Sequence, residues 1–299
     1  MGGCAFLFPG QGGQFVGQGR EFMDRGPEME DLFSLAEDIA GLDLKSIVLN
    51  GPAAELNRTE NLQPAILTVS LAIAKIMVRE GLNPSLACGH SLGEYGALCL
   101  AGVFSEKEAL TLVTARAKIM QRAADQKPGA MAAVLNLSEK EVDGLCDLAS
   151  SVGTVVTANY NTPVQTVVSG EAKAVSAVVR FAEKKNGRAV VLPVSGAFHS
   201  PLMNEAALEM TEILNEVDFR KPRFPVISNA TGETESDPGR LKQLLGQQMT
   251  APVLWTKTSA TLGSLALDEM VECWPKLYVG TLVKKCLPQD KKIVIRAAA

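Results

Sequence analysis

Apolar residues along the chain follow two patterns, short continuous runs and longer stretches that repeat every three to four positions. The runs at 5–8 and 85–88 predict short buried strands, and the periodic stretches at about 28–40 and 62–80 predict helices. A Ser-Glu-Lys-Glu capping box at 105–108 begins a further long helix that runs to about residue 124. Because strands alternate with helices, the chain is predicted to have an α/β fold with a parallel sheet.

The middle of the chain has its own order of elements. Strands are predicted at 130–135, 155–159, 166–169 and 189–194, with helices after Ser138 and at 171–185. This β-α-β-β-α-β order is typical of ferredoxin-like modules. We therefore predict a small ferredoxin-like subdomain at 128–196, inserted into a large α/β-hydrolase-like subdomain made of 1–127 and 197–299. Beyond it, helices are predicted from Ser200-Pro201 and Asp237-Pro238, with strands at 224–228, 270–272 and 293–295.

Composition excludes several classes of protein. Apolar residues make up 46% of the 299 positions, charged residues 21%, and the net charge is -4, so no nucleic-acid partner is expected. The longest apolar stretch, 67–78, is broken by Ser70 and Lys75 and predicts a buried helix, not a membrane span. With no signal-peptide pattern, a cytoplasmic protein is expected, or one of an organelle matrix if a leader has been removed.

The cysteine spacing argues against a metal site. Six cysteines stand at positions 4, 88, 99, 146, 273 and 286, with no CxxC or CxH cluster among them. This pattern is typical of reduced cysteines that pack as small apolar side chains. We expect no bound metal and no resident cofactor.

The run Gly-His-Ser-Leu-Gly at 89–93 lies between a predicted strand and a predicted helix. Gly-X-Ser-X-Gly in that position is the nucleophile-elbow pattern, in which a sharp turn exposes the serine hydroxyl. Amides at the start of the following helix can then stabilise an oxyanion. Ser91 is therefore the candidate nucleophile, although an ordinary serine in a tight glycine turn is the alternative.

The candidate base is one of two histidines. His90 adjoins Ser91, but neighbours on a tight turn direct their side chains apart. His199 lies in a loop that follows the inserted subdomain and is the better candidate, because a serine nucleophile needs a base within hydrogen-bond distance. No acidic residue stands out as its partner, so a carbonyl group could orient the imidazole in a dyad.

Arg116 falls within the apolar arc of the helix that begins at 105. On a helical wheel it shares that arc with Ala109, Leu112, Val113, Ile119 and Met120. A buried arginine needs an anion or several carbonyl groups. Two interpretations are open at this point, an internal salt bridge, which is the commoner arrangement and is favoured here, and a clamp for a substrate carboxylate.

Taken together, these motifs resemble those of malonyl-CoA:acyl carrier protein transacylases and of the acyltransferase domains of polyketide synthases. The resemblance runs from the Phe-Pro-Gly-Gln-Gly sequence at 8–12 to about residue 285. It implies a malonyl-serine intermediate on Ser91, formed from malonyl-CoA and passed to an acyl carrier protein. The CoA thioester is then a substrate and not a cofactor. The protein is expected to be a monomer that is not associated with a membrane.

The resemblance also implies roles for single residues. Gln11 and Leu92 would supply the oxyanion-hole amides, Arg116 would bind the malonyl carboxylate, and the carbonyl of Gln248 would orient His199. Substrate-pocket roles are implied for Gln63 and for Phe198, which matches the malonyl-selecting form of its motif, while Asn159 and Asn161 match a structural segment near the cleft.

One segment departs from the family pattern. The family's Glu-x-Gly-Pro-Gly turn reads Glu-Cys-Trp-Pro-Lys at 272–276, so this loop is expected to have a different local geometry.

Three alternative functions are compatible with some of these motifs. A serine thioesterase or esterase would use water as the acceptor, a trans-acting polyketide-synthase acyltransferase would use another carrier, and a non-catalytic scaffold would form no intermediate.

Overall fold

The computed structural model describes residues 2–194 and 196–299. Ten strands and twelve α-helices lie in this part of the chain, with 3₁₀ turns at Arg20–Arg25 and Pro201–Met203. The strands are β1 (Gly3–Phe8), β2 (Pro84–Gly89), β3 (Ala130–Leu135), β4 (Val155–Thr162), β5 (Gln165–Gly170), β6 (Arg188–Val191), β7 (Val226–Ile227), β8 (Thr234–Glu235), β9 (Leu267–Glu272) and β10 (Val294–Ala297). The helices are α1 (Glu28–Ala40), α2 (Leu44–Asn50), α3 (Ala53–Leu56), α4 (Thr59–Arg79), α5 (Gly93–Ala101), α6 (Glu106–Gln126), α7 (Glu139–Ala149), α8 (Ala172–Lys184), α9 (Asn204–Asn215), α10 (Pro238–Gln247), α11 (Trp255–Ser264) and α12 (Val279–Cys286).

A six-stranded sheet, in the order β10-β9-β1-β2-β7-β8, forms the centre of the larger part of the molecule. Its first five strands are parallel, as predicted, whereas β8 pairs antiparallel with β7. The sequence did not predict this two-residue edge strand, because it contains no apolar run. Since the carboxyl ends of β1 and β2 meet at one edge, the turns that follow these two strands lie side by side, and the amide of His90 donates to Phe8 O at 3.0 Å.

A second sheet, antiparallel and four-stranded, lies wholly within residues 130–191 in the order β4-β5-β3-β6. Helices α7 and α8 pack against it around a separate apolar cluster, and its elements follow the predicted β-α-β-β-α-β order. The fold is therefore α/β with two sheets. The exact subdomain limits at 128 and 196 stay a prediction.

A single parallel bridge connects β4 with the chain just before α11. It pairs Asn159 with Val253; the amide of Tyr160 donates to Val253 O at 3.0 Å, and the amide of Val253 donates to Ala158 O at 2.8 Å. The segment around Val253 therefore continues the edge of the small sheet.

Helix α4 is the central helix of the main apolar core. Most of its side chains are buried on all sides, which confirms that 67–78 belongs to a buried helix. By length and composition α4 is the one helix of the described residues that could cross a membrane, and 89% of its most apolar window is buried against the rest of the protein.

Several predicted helices match their predicted positions. Helix α1 has the predicted bounds, and the predicted box at Ser105 is formed, with Ser105 Oγ accepting from the Glu108 amide at 3.2 Å. The helix predicted after Ser200 begins with a 3₁₀ turn before α9. Helices α2, α3, α11 and α12 were not predicted, and α11 in particular is rich in Thr, Ser and Gly, which are weak helix formers.

Candidate active site

Ser91 lies on the sharp turn between β2 and α5. Its φ of 51° is in the left-handed region, which non-glycine residues rarely adopt. A Cβ at Gly89 would lie 2.0 Å from the carbonyl carbon of Gly93, and a Cβ at Gly93 would lie 2.3 Å from Phe8 O. The turn therefore requires glycine on both sides of the serine.

Asn229, between β7 and β8, braces this turn. Its Oδ1 accepts from the Ser91 amide at 2.6 Å, and its Nδ2 donates to Gly89 O at 2.6 Å. The side chain is buried, and both of its amide atoms bond to backbone groups of the turn. These bonds help to hold Ser91 in its unfavourable backbone conformation.

His199 is the histidine that the fold brings to the serine. Its Nε2 lies 2.8 Å from Ser91 Oγ, and its Nδ1 lies 2.9 Å from Gln248 O and 3.1 Å from Ala251 O. Because a carbonyl oxygen only accepts, Nδ1 carries the proton, and Nε2 accepts a hydrogen bond from the Ser91 hydroxyl. Two backbone carbonyls thus orient the imidazole without a carboxylate.

His90 has different partners. Its Nε2 lies 2.9 Å from Asn161 Oδ1, and its ring lies 5.2 Å from the Trp255 ring. The His90 side chain therefore packs between β4 and α11 instead of pairing with Ser91. Burial lowers the pKa of His90 below its usual 6.5.

Arg116 is fully buried and reaches the serine from helix α6. Its Nη1 donates to Gln63 Oε1 at 2.6 Å, while Nη2 donates to Gln248 Oε1 at 3.1 Å and to Ser91 Oγ at 3.3 Å. No Asp or Glu of the described residues forms an ion pair with it, so the predicted internal salt bridge is wrong, and the carboxylate clamp stays a prediction. Its Nε has no hydrogen-bond partner within those residues.

Gln248 connects this arginine with a buried acid. Its Nε2 donates to Glu94 Oε2 at 2.6 Å and to Ser91 O at 2.9 Å. Glu94 Oε1 in turn accepts from the Asn229 amide at 3.2 Å. Burial raises the pKa of Glu94 to about 7, although hydrogen bonds from Gln248 and Asn229 oppose the rise. The side chain of Gln248 separates this acid from the guanidinium.

A buried cation that no carboxylate of the described residues bonds directly sets the electrostatics at Ser91. Burial lowers the pKa of Arg116 below its usual value, but the guanidinium still carries its charge at neutral pH. Burial first, and then the positive charge of Arg116, lower the pKa of His199 from 6.5 to about 3. His199 is therefore a neutral imidazole at physiological pH.

Two backbone amides at or near the elbow, those of Gln11 and Leu92, lack an acceptor among the described residues. Neither the Gln11 amide nor the Leu92 amide donates to a protein group within residues 2–194 and 196–299. The Gln11 loop lies against the elbow, since a Cβ at Gly10 would come 2.5 Å from His90 O. Both N–H groups are thus available to a ligand oxygen.

The remaining predicted site residue, Phe198, is buried in the main apolar core beside His199, and its ring packs against Gly196. As for metals, no group of three or more His, Cys, Asp or Glu side chains with the arrangement of a metal site occurs in the described part of the chain.

The acyl transferase domain family matches residues 5–272. The malonyl CoA-acyl carrier protein transacylase of Bacillus subtilis (strain 168) is 38% identical over 294 residues, which cover 97% of this chain and 92% of that protein. This chain belongs to the acyl transferase domain family.

Solved structures of similar proteins agree with the assignment of this chain to the acyl transferase domain family. A malonyl-CoA:acyl carrier protein transacylase from Xanthomonas oryzae pv. oryzae has a TM-score of 0.94 at 36% identity, covering 100% of this chain and 95% of that one. A malonyl-transacylase in complex with a type II PKS acyl-carrier protein has a TM-score of 0.93 at 34% identity, covering 99% and 95%.

Three groups of the acyltransferase site were not found from the sequence: Asn229, Glu94 as the acceptor of Gln248, and the Ala251 carbonyl. Glu94 lies next to the serine motif, but its contact is with a residue 154 positions away. Asn229 lies in an Asn-Ala-Thr-Gly turn, and that turn composition was its only local signal.

Proposed function

We propose that the protein transfers a malonyl group from malonyl-CoA to the phosphopantetheine thiol of an acyl carrier protein, through a malonyl-serine intermediate on Ser91. One observation carries the proposal: Ser91 Oγ contacts both the neutral imidazole of His199 and the guanidinium of Arg116. The nucleophilic oxygen thus contacts a base and a buried cation, and no carboxylate of the described residues pairs with that cation. The acyltransferase relatives described above support the same reaction.

In the first half-reaction, His199 Nε2 takes the hydroxyl proton while Ser91 Oγ attacks the thioester carbonyl carbon. The Gln11 and Leu92 amides donate to the oxyanion of the tetrahedral intermediate. When this intermediate collapses, the C–S bond breaks, His199 returns the proton to the sulfur, and CoA thiol leaves. The product is malonyl-Ser91.

In the second half-reaction, the carrier's thiol replaces CoA. His199 takes the thiol proton as the sulfur attacks the ester carbonyl, and it returns a proton to Ser91 Oγ as the C–O bond breaks. The carbonyls of Gln248 and Ala251 keep the imidazole in the required tautomer through both steps.

Arg116 gives the site its preference for a carboxylated acyl group. In the proposed complex the guanidinium forms a forked ion pair with the malonyl carboxylate. Gln63 and Gln248 hold the guanidinium through neutral amide oxygens, so its charge stays available to the substrate. Phe198, buried beside His199, would limit branching at the acyl chain.

The test is incubation of the protein with a panel of acyl-CoAs and holo carrier proteins, followed by intact-protein mass spectrometry. We expect malonyl adducts on the protein and then on a fatty-acid carrier. Loading only of a polyketide carrier would assign the protein to that pathway. Release of free malonate as the main product would identify a thioesterase, and the absence of a CoA burst would contradict any catalytic role.

Further proposals concern the setting of the reaction. No resident cofactor is needed, because the CoA thioester brings the activated acyl group. We also propose that the protein is a monomer, and the burial of α4 within the core supports a protein without a membrane anchor. Six free cysteines support the cytoplasm or a reducing organelle matrix. Light scattering would test the monomer, and subcellular fractionation would test the compartment and the absence of a membrane anchor.

The pH dependence of acylation follows from the pKa of His199. A histidine whose pKa is lowered from 6.5 to about 3 stays neutral, and hence active as a base, until the pH falls near 3. We expect kcat/KM for malonyl-CoA to show no loss with an apparent pKa near 6.5 as the pH falls from 7 to 5. Stopped-flow measurement of CoA release across this range tests the expectation.

Glu94 must be separated from this profile, because its pKa of about 7 lies in the same range. The Glu94→Gln variant removes that titration and keeps the size of the side chain. A loss of rate near pH 6.5 that persists in Glu94→Gln would belong to His199 and would contradict the lowered pKa.

A further inference from the structure

The segment 272–278, which departs from the family pattern at Trp274 and Lys276, lies directly against the loop that contains Gln11. Strand β9 pairs with β1, and beyond the paired residues the Cys273 amide donates to Leu7 O at 2.8 Å. The chain then turns over the loop at 9–14. The rebuilt turn is therefore a neighbour of the proposed oxyanion hole.

Two side chains of this segment donate to carbonyls of the loop. Tyr278 Oη donates to Gln11 O at 3.2 Å, and Trp274 Nε1 donates to Gly13 O at 3.2 Å. Trp274 is almost fully buried and is among the largest buried side chains of the protein. Lys276 adds a third contact, with its Nζ 4.5 Å from the centre of the Phe15 ring.

The Tyr278 ring also packs on the loop backbone. A Cβ at Gly12 would lie 2.2 Å from Tyr278 Oη, and one at Gly13 would lie 2.9 Å from Tyr278 Cγ. Gly12 has a φ of 114°, a backbone conformation that residues other than glycine rarely adopt. Glycine at these positions lets the tyrosine lie against the backbone.

The base of this segment is fixed in turn by Glu272. Its buried carboxylate accepts from the amides of Tyr278, Val279 and Gly280 at 2.8, 3.1 and 2.9 Å. These amides lie at the start of α12, so the acid orients the backbone from which Tyr278 projects. The backbone at Tyr278 is thus fixed, and its hydroxyl is a positioned hydrogen-bond donor.

We propose that Trp274 and Tyr278 are positioning residues that fix the Gln11 loop so that the Gln11 amide is presented to the oxyanion. The inference rests on the proposed function, in which this amide stabilises the tetrahedral intermediate. Their two bonds hold the Gln11–Gly12 and Gly13–Gln14 peptide groups. Because the first of these shares the Gln11 Cα with the peptide group that carries the Gln11 N–H, the bonds limit reorientation of that N–H. The altered family turn thus acts as a support for the oxyanion hole.

The test uses Tyr278→Phe, which removes the hydroxyl and keeps the ring on Gly12 and Gly13. Removal of an oxyanion donor lowers kcat by about 10²–10³-fold, so loosening one donor is expected to lower it by about tenfold. KM for malonyl-CoA is expected to stay unchanged, because the amide acts in the transition state. Trp274→Phe, which removes the indole N–H together with part of a buried ring, should also lower kcat more than it changes KM.

Two comparisons separate positioning from general damage to the fold. Tyr160→Phe is the matched control, because it removes a tyrosine hydroxyl bonded to Asp143 Oδ1 at 2.9 Å in the small sheet. The oxyanion hole stabilises the oxyanion formed from the thioester of every acyl-CoA, so Tyr278→Phe should slow malonyl and acetyl transfer by equal factors. An unchanged kcat, a higher KM alone, or an equal loss in Tyr160→Phe would overturn the proposal.

The proposal also has a readout that does not depend on malonyl-CoA. Acylation of Ser91 by p-nitrophenyl acetate uses the same oxyanion hole, so Tyr278→Phe should slow p-nitrophenol release by a similar factor. If the unmodified protein reacts with this ester but forms no malonyl adduct, the proposed function fails while the positioning role is still measured. An unchanged rate of p-nitrophenol release would contradict the positioning role.

Discussion

Ser91→Ala should abolish the covalent malonyl adduct and lower malonyl transfer by about 10⁴-fold or more. The hydroxyl oxygen forms the only covalent bond between the protein and the acyl group in the proposed scheme, and it is the atom that lies within hydrogen-bond distance of His199 Nε2. Intact-protein mass spectrometry after mixing with malonyl-CoA measures the adduct, and transfer to holo carrier protein measures the rate.

The matched control for Ser91→Ala is Ser85→Ala, near the other end of β2. Ser85 Oγ donates to Cys4 O at 3.2 Å, so the control also removes a hydrogen-bonded serine hydroxyl, but one whose partner is a backbone carbonyl far from His199. It should keep the adduct and the transfer rate. A malonyl adduct that still accumulates in Ser91→Ala would refute the serine-intermediate mechanism.

Arg116→Ala should change the choice of substrate more than the chemistry. Loss of one partner from a buried, hydrogen-bonded charge pair costs about 2–5 kcal/mol, so kcat/KM for malonyl-CoA should fall by at least about 30-fold. Acetyl-CoA has no carboxylate to lose, and its loading should change much less. The ratio of the two kcat/KM values is the measurement, because general damage to the site lowers both.

Arg122→Ala on the same helix is the control for the arginine. Arg122 is exposed and pairs with Glu209 on the surface, so its loss should leave the malonyl-to-acetyl ratio unchanged. Equal losses for the two substrates in Arg116→Ala would show that the guanidinium supports the site without selecting the acyl group.

Residues whose roles depend on neighbours in the chain could be predicted from the sequence. The glycines at 89 and 93 are needed by the turn itself, and the capping boxes at Ser105 and Ser138 are local hydrogen-bond patterns. The burial of Arg116 followed from its place on one face of α6. Helical and strand periodicity predicted the positions of most of the remaining helices and strands in the same way.

The rest of the site depends on long-range contacts that leave no local pattern. The Ala251 carbonyl contacts His199 through the backbone, so its side chain carries no information about this role. The partners of Arg116 were also open in the sequence, because a wheel shows burial but not which polar groups meet the guanidinium. Only the fold shows that these are amides of Gln63 and Gln248 and not a carboxylate.

The bridge between Asn159 and Val253 bears on how the protein can be engineered. The two carbonyls that align His199 belong to Gln248 and Ala251, on a segment of the large part that is joined to the edge of the small sheet two residues later. The small sheet is therefore not a detachable module. A chimera that exchanges residues 128–196 alone would disturb the alignment of the imidazole, so the graft has to include the 248–254 segment of the same parent.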